Sequence, residues 1–297
     1  MYLIIGGNGF LGSYLIKSIL EDTDEKIIAT ARDLSRIASW GERVVWHRLE
    51  ITDFANVDSV ADKLRENIES LKVLYLAALH NPDQVEKNPQ HAWHVNITSL
   101  SYFMNRMGRF NCLIYPSTDS VYGAGSLNSL FSEDDPLHPV NTYGKQKVMA
   151  ESLVNYFGYK VLRYPFLIAP SLVPHKKHFY DIICDTISAG NIMPMFADSY
   201  RSSLDFNTVA KLTISLVEIM GGTLPAVVNI AGDKALSKYD VGLMIAKKLG
   251  ISLSKIQAVS VNEDHGNIFQ SSRAAVTLMD NSLLKKLLNL KAINIEI

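Results

Sequence analysis

Short apolar runs alternate with longer amphipathic stretches over the first two-thirds of the chain, and that alternation sets the expected fold. The runs YLII (2–5), KIIAT (26–30), VVWHR (44–48), VLYLA (73–77), CLIYP (112–116) and VLRYP (161–165) are short and rich in β-branched or aromatic residues, which predicts strands. Apolar positions at helical spacing fill the intervals near 10–20, 55–69, 88–108 and 142–157. Strands apolar on both faces and separated by helices predict a doubly wound, parallel α/β sheet of Rossmann type. Further on, LDFNTVAKLTISLVEIM (204–220) predicts a helix and AVVNIAG (226–232) a strand. SKYDVGLMIAKKLG (237–250) opens on a serine cap and closes on Gly250, the start and stop signals of a helix. Pro170, Pro174 and Pro194, with the basic stretch HKKH (175–178), break the rhythm over 170–200. Residues 1–169 and 201–231 are therefore expected to form the sheet domain, and 170–200 with 232–297 a smaller lobe.

Composition narrows the partners. The chain has 297 residues, 47% of them hydrophobic, enough for one large domain with an attached lobe. Lysine plus arginine number 29 and aspartate plus glutamate 30, a balance that gives no electrostatic case for a nucleic acid or a membrane surface. No apolar run reaches the ~18 residues of a bilayer span, and MYLIIGG carries no basic leader. Cys112 and Cys184 lie far apart without metal-ligand spacing, so reduced thiols, a cytoplasmic location and no metal centre are expected.

The first candidate chemistry is GGNGFLG (6–12), directly after the first predicted strand. Gly6, Gly9 and Gly12 give a tight turn, close backbone approach to a pyrophosphate and room for the next helix to pack on the strand. The helix N-terminus then offers unpaired N–H groups to the anion. These glycines, with Asn8, Phe10 and Leu11 between them, are the expected dinucleotide-binding loop. The second strand ends in TARDLSR (30–36), where an acidic residue suits the ribose of NAD and an arginine the 2′-phosphate of NADP. Arg32 lies nearer the strand end than Asp33, which favours NADP(H) over NAD(H); Arg36 is either a second cation or a solvated charge.

YGKQK (143–147) places Tyr143 and Lys147 on one face of a predicted helix. With 13 tyrosines in the chain that spacing is near chance by itself, and it recurs at Tyr156 and Lys160, where Gly158 interrupts the helix.

Order along the chain gives the pair its meaning. Together with the glycine loop, LEITD (49–53), LYLAA (74–78), HVNITSL (94–100), PSTDSVYG (116–123) and PVNTYGKQK (139–147) resemble, in sequence order, the motifs of the extended short-chain dehydrogenase/reductase family of nucleotide-sugar epimerases, dehydratases and reductases. The resemblance implies Thr118, Tyr143 and Lys147 as catalytic residues. It implies Glu50 (where the family usually has aspartate), Ile51, Ala77, Ala78, Asn96, Tyr143 and Lys147 along the cofactor. Within the family, residues 77–96 are most similar to dTDP-4-dehydrorhamnose reductases, whose acidic pattern Asp83 and Glu86 partly match, whereas SVYG has the epimerase-like form. Ser120 stands where dehydratases carry their glutamate base, which argues against dehydration.

The implied reaction is hydride transfer to C4 of a nucleotide-activated 4-keto sugar, with Tyr143 as proton donor and Thr118 orienting the substrate oxygen. Tyrosine titrates near ~10, so Lys147 is expected to lower it. An NAD-dependent nucleotide-sugar 4-epimerase and a non-catalytic NADP-binding regulatory subunit remain as alternatives. Ser117, His80 and Arg273 are expected on the substrate, Arg273 either clamping its pyrophosphate or forming a surface ion pair. HKKH either attracts a diphosphate or is a solvated loop, and Asp83 with Glu86 reads as a helix-start charge pair. The family resemblance also implies a homodimer through the helices near 88–108 and 142–157.

Overall fold

A computed structural model describes residues 1–261 and 270–297; the 262–269 part of the expected lobe lies outside the described residues. Its centre is a parallel sheet of seven strands. The strands are β1 (Tyr2–Ile5), β2 (Ile27–Ala31), β3 (Val44–Arg48), β4 (Lys72–Tyr75), β5 (Cys112–Thr118), β6 (Lys160–Tyr164) and, later in the chain, Val227–Asn229. Short pairs fall between them in sequence: β7 (Leu167–Ile168), β8 (Met193–Phe196), β9 (Tyr200–Arg201) and β10 (Leu204–Asp205), so Val227–Asn229 is β11. The sheet order is β11-β6-β5-β4-β1-β2-β3. The order reverses between β1 and β4, the switch point where open α/β sheets bind ligands.

Both faces of the sheet are covered, which is why the strands read as unbroken apolar runs. On one face lie α1 (Phe10–Asp22), α8 (Phe206–Met220) and α10 (Ser282–Leu288), with Leu15, Ile16, Val209, Leu216 and Leu284 in one core. On the other lie α2 (Phe54–Leu64), α5 (Ser99–Met107) and α6 (Thr142–Tyr156), with Val57, Leu100, Phe103 and Val154 in a second core. Gly12 lets α1 begin against the loop that feeds it. A Cβ there would stand 2.7 Å from the carbonyl oxygen of Gly7.

The helix expected near 88–108 is broken into pieces. Pro82 and Pro89 each occupy the first turn of a short helix, α3 (Pro82–Lys87) and α4 (Pro89–Trp93), capped by Asn81 and Asn88. A π-turn (His94–Thr98) then joins α4 to α5. The helix expected near 55–69 ends at Leu64 and tightens into a 3₁₀ segment over Arg65–Ser70. α6 stops at Tyr156, ahead of Gly158 at φ 80° and Lys160 in β6, so Tyr156 and Lys160 share no helical face.

The lobe has a small core of its own. α7 (Phe179–Ser188) packs on α9 (Lys238–Lys248), and β8 pairs in parallel with β13 (Ile256–Val259), enclosing Ile183, Met195, Val241 and Ile245. β9 joins β12 (Leu236–Ser237) to β14 (Val276–Thr277). The chain's last turns return to the sheet domain, where Leu284 and Ile293 are buried in the α1/α8 core.

A buried ion pair ties the centre together. Glu151 on α6 and Arg163 on β6, each 4% exposed, meet at 2.7 Å through Oε2 and Nη2, and Nε reaches Oε1 at 3.1 Å. Ser117 of β5 donates to the same carboxylate. Arg163 also donates to the Tyr122 hydroxyl at 2.7 Å, which in turn donates to Asn229 of β11 at 2.7 Å. Arg163→Ala leaves Glu151 buried and uncompensated, and should lower stability by about 3–5 kcal/mol in urea unfolding. Replacing both partners with apolar residues of similar volume should recover most of the loss.

Candidate active site

A cleft of about 1150 Å³ opens at the switch point, above the carboxyl ends of β1 and β4. Its floor is the glycine loop: Gly6, Asn8, Gly9, Phe10, Leu11 and Gly12 all line it. Gly9 caps α1 with no side-chain hydrogen bond, and no acidic residue lies in the first turn. The free N–H groups and positive end of α1 thus face the cleft, an arrangement that fits a pyrophosphate.

Beyond the ends of β2 and β3 the cleft is lined by Arg32, Arg36, Glu50 and Ile51. Arg32 reaches Glu50 at 4.0 Å with its side chain 80% exposed, a weak tether in water. Glu50 is also engaged by Thr52, whose hydroxyl donates to Oε1 at 2.9 Å. Ala77 and Ala78 form the opposite wall. Asn96 stands one layer behind. Its Oδ1 accepts the Leu79 N–H at 2.8 Å, and Nδ2 donates to Leu79 O at 3.1 Å and to Gln146 Oε1 at 3.0 Å. Asn96 therefore braces the Ala77–His80 loop against α6.

Thr118, Tyr143 and Lys147 converge on one side of the cleft. Thr118 ends β5, and its hydroxyl donates to Asp119 Oδ1 at 3.0 Å and lies within hydrogen-bonding reach of Tyr143. The start of α6 can come this close because residue 144 is glycine. A Cβ there would stand 2.7 Å from both Ser120 O and Pro139 Cβ. Asn141 caps α6, accepting the Gly144 N–H at 2.8 Å.

Charge at the site differs from expectation. Burial first, then the negative charge of Asp119, hold the Tyr143 hydroxyl well above the ordinary tyrosine value; Thr118 and Arg273 act in the opposite sense. The lowering expected from Lys147 is absent because the lysine is turned elsewhere. Its ammonium donates to Tyr115 OH at 3.0 Å and Pro116 O at 2.7 Å, and sits 4.3 Å from the Tyr115 ring centroid. Burial pushes Lys147 down to about 7, opposed by Glu151 one turn along.

The residues expected on the substrate fare differently. Ser117 borders the cleft, but its hydroxyl is donated inward to Glu151. His80 lines the cleft, and burial, then Lys147 and Lys176, hold its imidazole below the ordinary range. Arg273 pairs with Asp83 at 3.1 Å, and burial lowers it. Asp83 also accepts the N–H groups of Gln270 at 3.0 Å and Ser271 at 2.8 Å. Asp83 thus anchors a strap, residues 270–277, that passes beside Tyr143. Asn141 Nδ2 donates to Ser272 O at 2.8 Å, and Arg201 donates to Ala274 O at 2.6 Å and Ala275 O at 3.0 Å.

Three further residues bear on the site. Asp119 is buried beside Thr118, faces Arg201 Nε at 3.2 Å, and is raised by burial. Lys238 lines the cleft and is pushed down to about 8 by burial, then by Arg273 and Arg201. The only sequence sign of Asp119 is its place next to Thr118. Arg201 and Lys238 lie in no recognisable motif.

Comparison with known proteins gives a consistent result. The family model described as RmlD substrate binding domain matches residues 1–294. A dTDP-4-dehydrorhamnose reductase of Aggregatibacter actinomycetemcomitans is 25% identical over 249 residues, covering 82% of this chain and 77% of that protein. The structure of a dTDP-4-dehydrorhamnose reductase from Bacillus anthracis, solved in complex with NADP, superposes with a TM-score of 0.79 at 19% identity, over 99% of this chain and 94% of that one. A Bacillus cereus UDP-glucuronic acid 4-epimerase, in complex with UDP-glucuronic acid and NAD, also gives 0.79 at 19% identity, over 98% and 94% of the two chains. At these identities the structural likeness establishes the fold.

The Lys147 environment predicts a pH effect on the cofactor-free protein. Its folded value, about 7, lies below the ~10.4 of an unfolded lysine. Between those limits the unfolded chain holds a proton that the folded one lacks, so stability should rise with pH from about 7 to ~10. Urea midpoints measured across that window should climb for the wild type and flatten for Lys147→Met.

Proposed function

The chain belongs to the RmlD substrate binding domain family, and so to the extended short-chain dehydrogenase/reductases, which are NAD(P)-dependent oxidoreductases; we propose that its own reaction is reduction of a nucleotide-activated 4-keto sugar at C4, with NADPH as the preferred donor. The observation that carries this reading is the convergence of Thr118, Tyr143 and Lys147 on the cleft into which the open N-terminus of α1 points. The nicotinamide, when bound, supplies the hydride. Thr118 holds and orients the carbonyl oxygen, and Tyr143 gives its phenolic proton to that oxygen as negative charge develops there. The raised value of Tyr143 keeps its proton in place at neutral pH until it is needed. In the cofactor-free structure the Lys147 ammonium is held by Tyr115 and Pro116; turned toward Tyr143 in the loaded site, protonated Lys147 supplies the positive charge that eases proton release. Arg201 and Lys238 line the cleft and supply positive charge suited to the diphosphate of a nucleotide sugar.

Arg32 and Arg36 at the adenosine end support the preference for a 2′-phosphate, since neither is tightly held. A nucleotide-sugar 4-epimerase remains the second reading; Tyr122 of the epimerase-like SVYG segment is buried in the Arg163 network.

Thermal-shift titration should show a larger stabilisation by NADPH than by NADH. A panel of nucleotide 4-keto sugars should then oxidise NADPH stoichiometrically, followed at the reduced-nicotinamide absorbance. Turnover of a sugar with no net oxidation would identify an epimerase instead. Tyr143→Phe should lower turnover by about 10²–10⁴-fold while retaining NADPH binding, and wild-type turnover in that variant would sink the mechanism.

A further inference from the structure

The basic stretch 175–178 divides its residues among separate tasks. Lys177 pairs with Asp185 at 2.5 Å. His178 caps α7, its Nδ1 accepting the Tyr180 N–H at 3.4 Å and its own N–H held by Asp181 at 2.7 Å. The His178 ring also stands edge-on to Phe10 at 4.7 Å and to Phe206 at 5.0 Å, which fastens the lobe loop onto the glycine loop. Lys176 is left facing inward. It follows a left-handed turn at His175 (φ 58°), and its ammonium lies 4.6 Å from the centroid of the Phe10 ring, at the first residue of α1. It lines the cleft and remains solvent-accessible. Its nearest charged influence is another cation, Arg32, and it in turn depresses His80 and His178. Among the described residues it makes no ion pair that would have to be broken before it met a ligand.

We propose that Lys176 is a cofactor ligand: it reaches from the lobe across the glycine loop to the pyrophosphate of the bound dinucleotide, opposite the N-terminus of α1. The inference rests on the dinucleotide reading of the cleft. A cation set against an aromatic face and a second cation, in a cleft with no acidic neighbour on its own loop, is completed by a ligand carrying two negative charges. The free N–H groups of α1 approach that ligand from the sheet domain and Lys176 approaches it from the lobe. Cofactor affinity therefore depends on the position of a loop outside the sheet domain. The preference between NADPH and NADH does not depend on Lys176, because the pyrophosphate is common to both.

The test is a pair of titrations, NADPH and NADH, followed by reduced-nicotinamide fluorescence in the wild type and in Lys176→Gln, Lys176→Arg and Lys177→Gln. Loss of a charge-assisted contact worth about 1.5–3 kcal/mol predicts that Lys176→Gln weakens both cofactors by the same factor, about 10–100-fold. Lys176→Arg should restore most of the affinity, and Lys177→Gln should bind as the wild type does. Unchanged binding in Lys176→Gln overturns the proposal. So does a loss confined to NADPH, which would move the contact to the 2′-phosphate, or an equal loss in Lys177→Gln, which would reduce it to general surface charge. A wild-type protein that binds neither cofactor would instead overturn the dinucleotide reading itself. Thermal unfolding without cofactor should be the same in all four proteins, which separates a binding loss from a folding defect.

Discussion

Two charges withdrawn from water hold the junction of α6, β5 and β6 in register. Glu151 and Arg163 face each other in a bidentate pair at the junction of α6, β5 and β6. Neither group is tolerable there without the other, and each needs its remaining hydrogen bonds filled. Ser117, Tyr122 and the Glu133 carbonyl fill them, and Asn229 in turn accepts from Tyr122, so strands adjacent in the sheet and a helix above it are fixed relative to one point. Thr118 follows Ser117 directly, and Lys147 precedes Glu151 by one helical turn. The separation between the end of β5 and the face of α6 that carries Tyr143 and Lys147 follows from that pairing.

The site built on this junction is electrostatically incomplete by itself. Lys147 and Lys238 are pushed below the usual lysine range by burial, and Tyr143 and Asp119 are pushed up. Shifts in these directions mark groups whose charged forms have been withdrawn from water. An anionic dinucleotide on one side and an anionic nucleotide sugar on the other would supply negative charge where the protein has placed cations. In the cofactor-free arrangement Lys147 is held against Tyr115 and Pro116.

Much of this architecture was legible in the sequence because it rests on local patterns. β1, β2 and β3 each lie within a residue of the apolar runs that predict them, and the glycine loop declares itself through spacing and context. Tyr143 and Lys147 gained meaning only from their order after that loop and after PSTDSVYG. The broken helix over 82–107 was harder to read, since Pro82 and Pro89 sit at helix starts where proline is tolerated and each Asn cap resets the register. Arg201 and Lys238 escaped notice because their partners are distant in sequence: Arg201 meets Asp119 and the carbonyls of 274 and 275. Asn96 was expected along the cofactor, yet it sits behind the loop that lines the cleft, a distinction that spacing does not carry. The direction of the Tyr143 shift was likewise beyond reach, since helical spacing says nothing of where a lysine ammonium turns.

The strap over 270–277 is held by Asn141 with the same side chain that caps α6. One residue thus serves both the strap and the first turn of the helix that carries Tyr143. In evolutionary language, strap and helix are pleiotropic here: a mutation that reshapes the strap also tugs on the first turn of α6. Change is then easier through the strap's side chains than through its backbone. Relatives would be expected to keep the strap's path while varying what it displays.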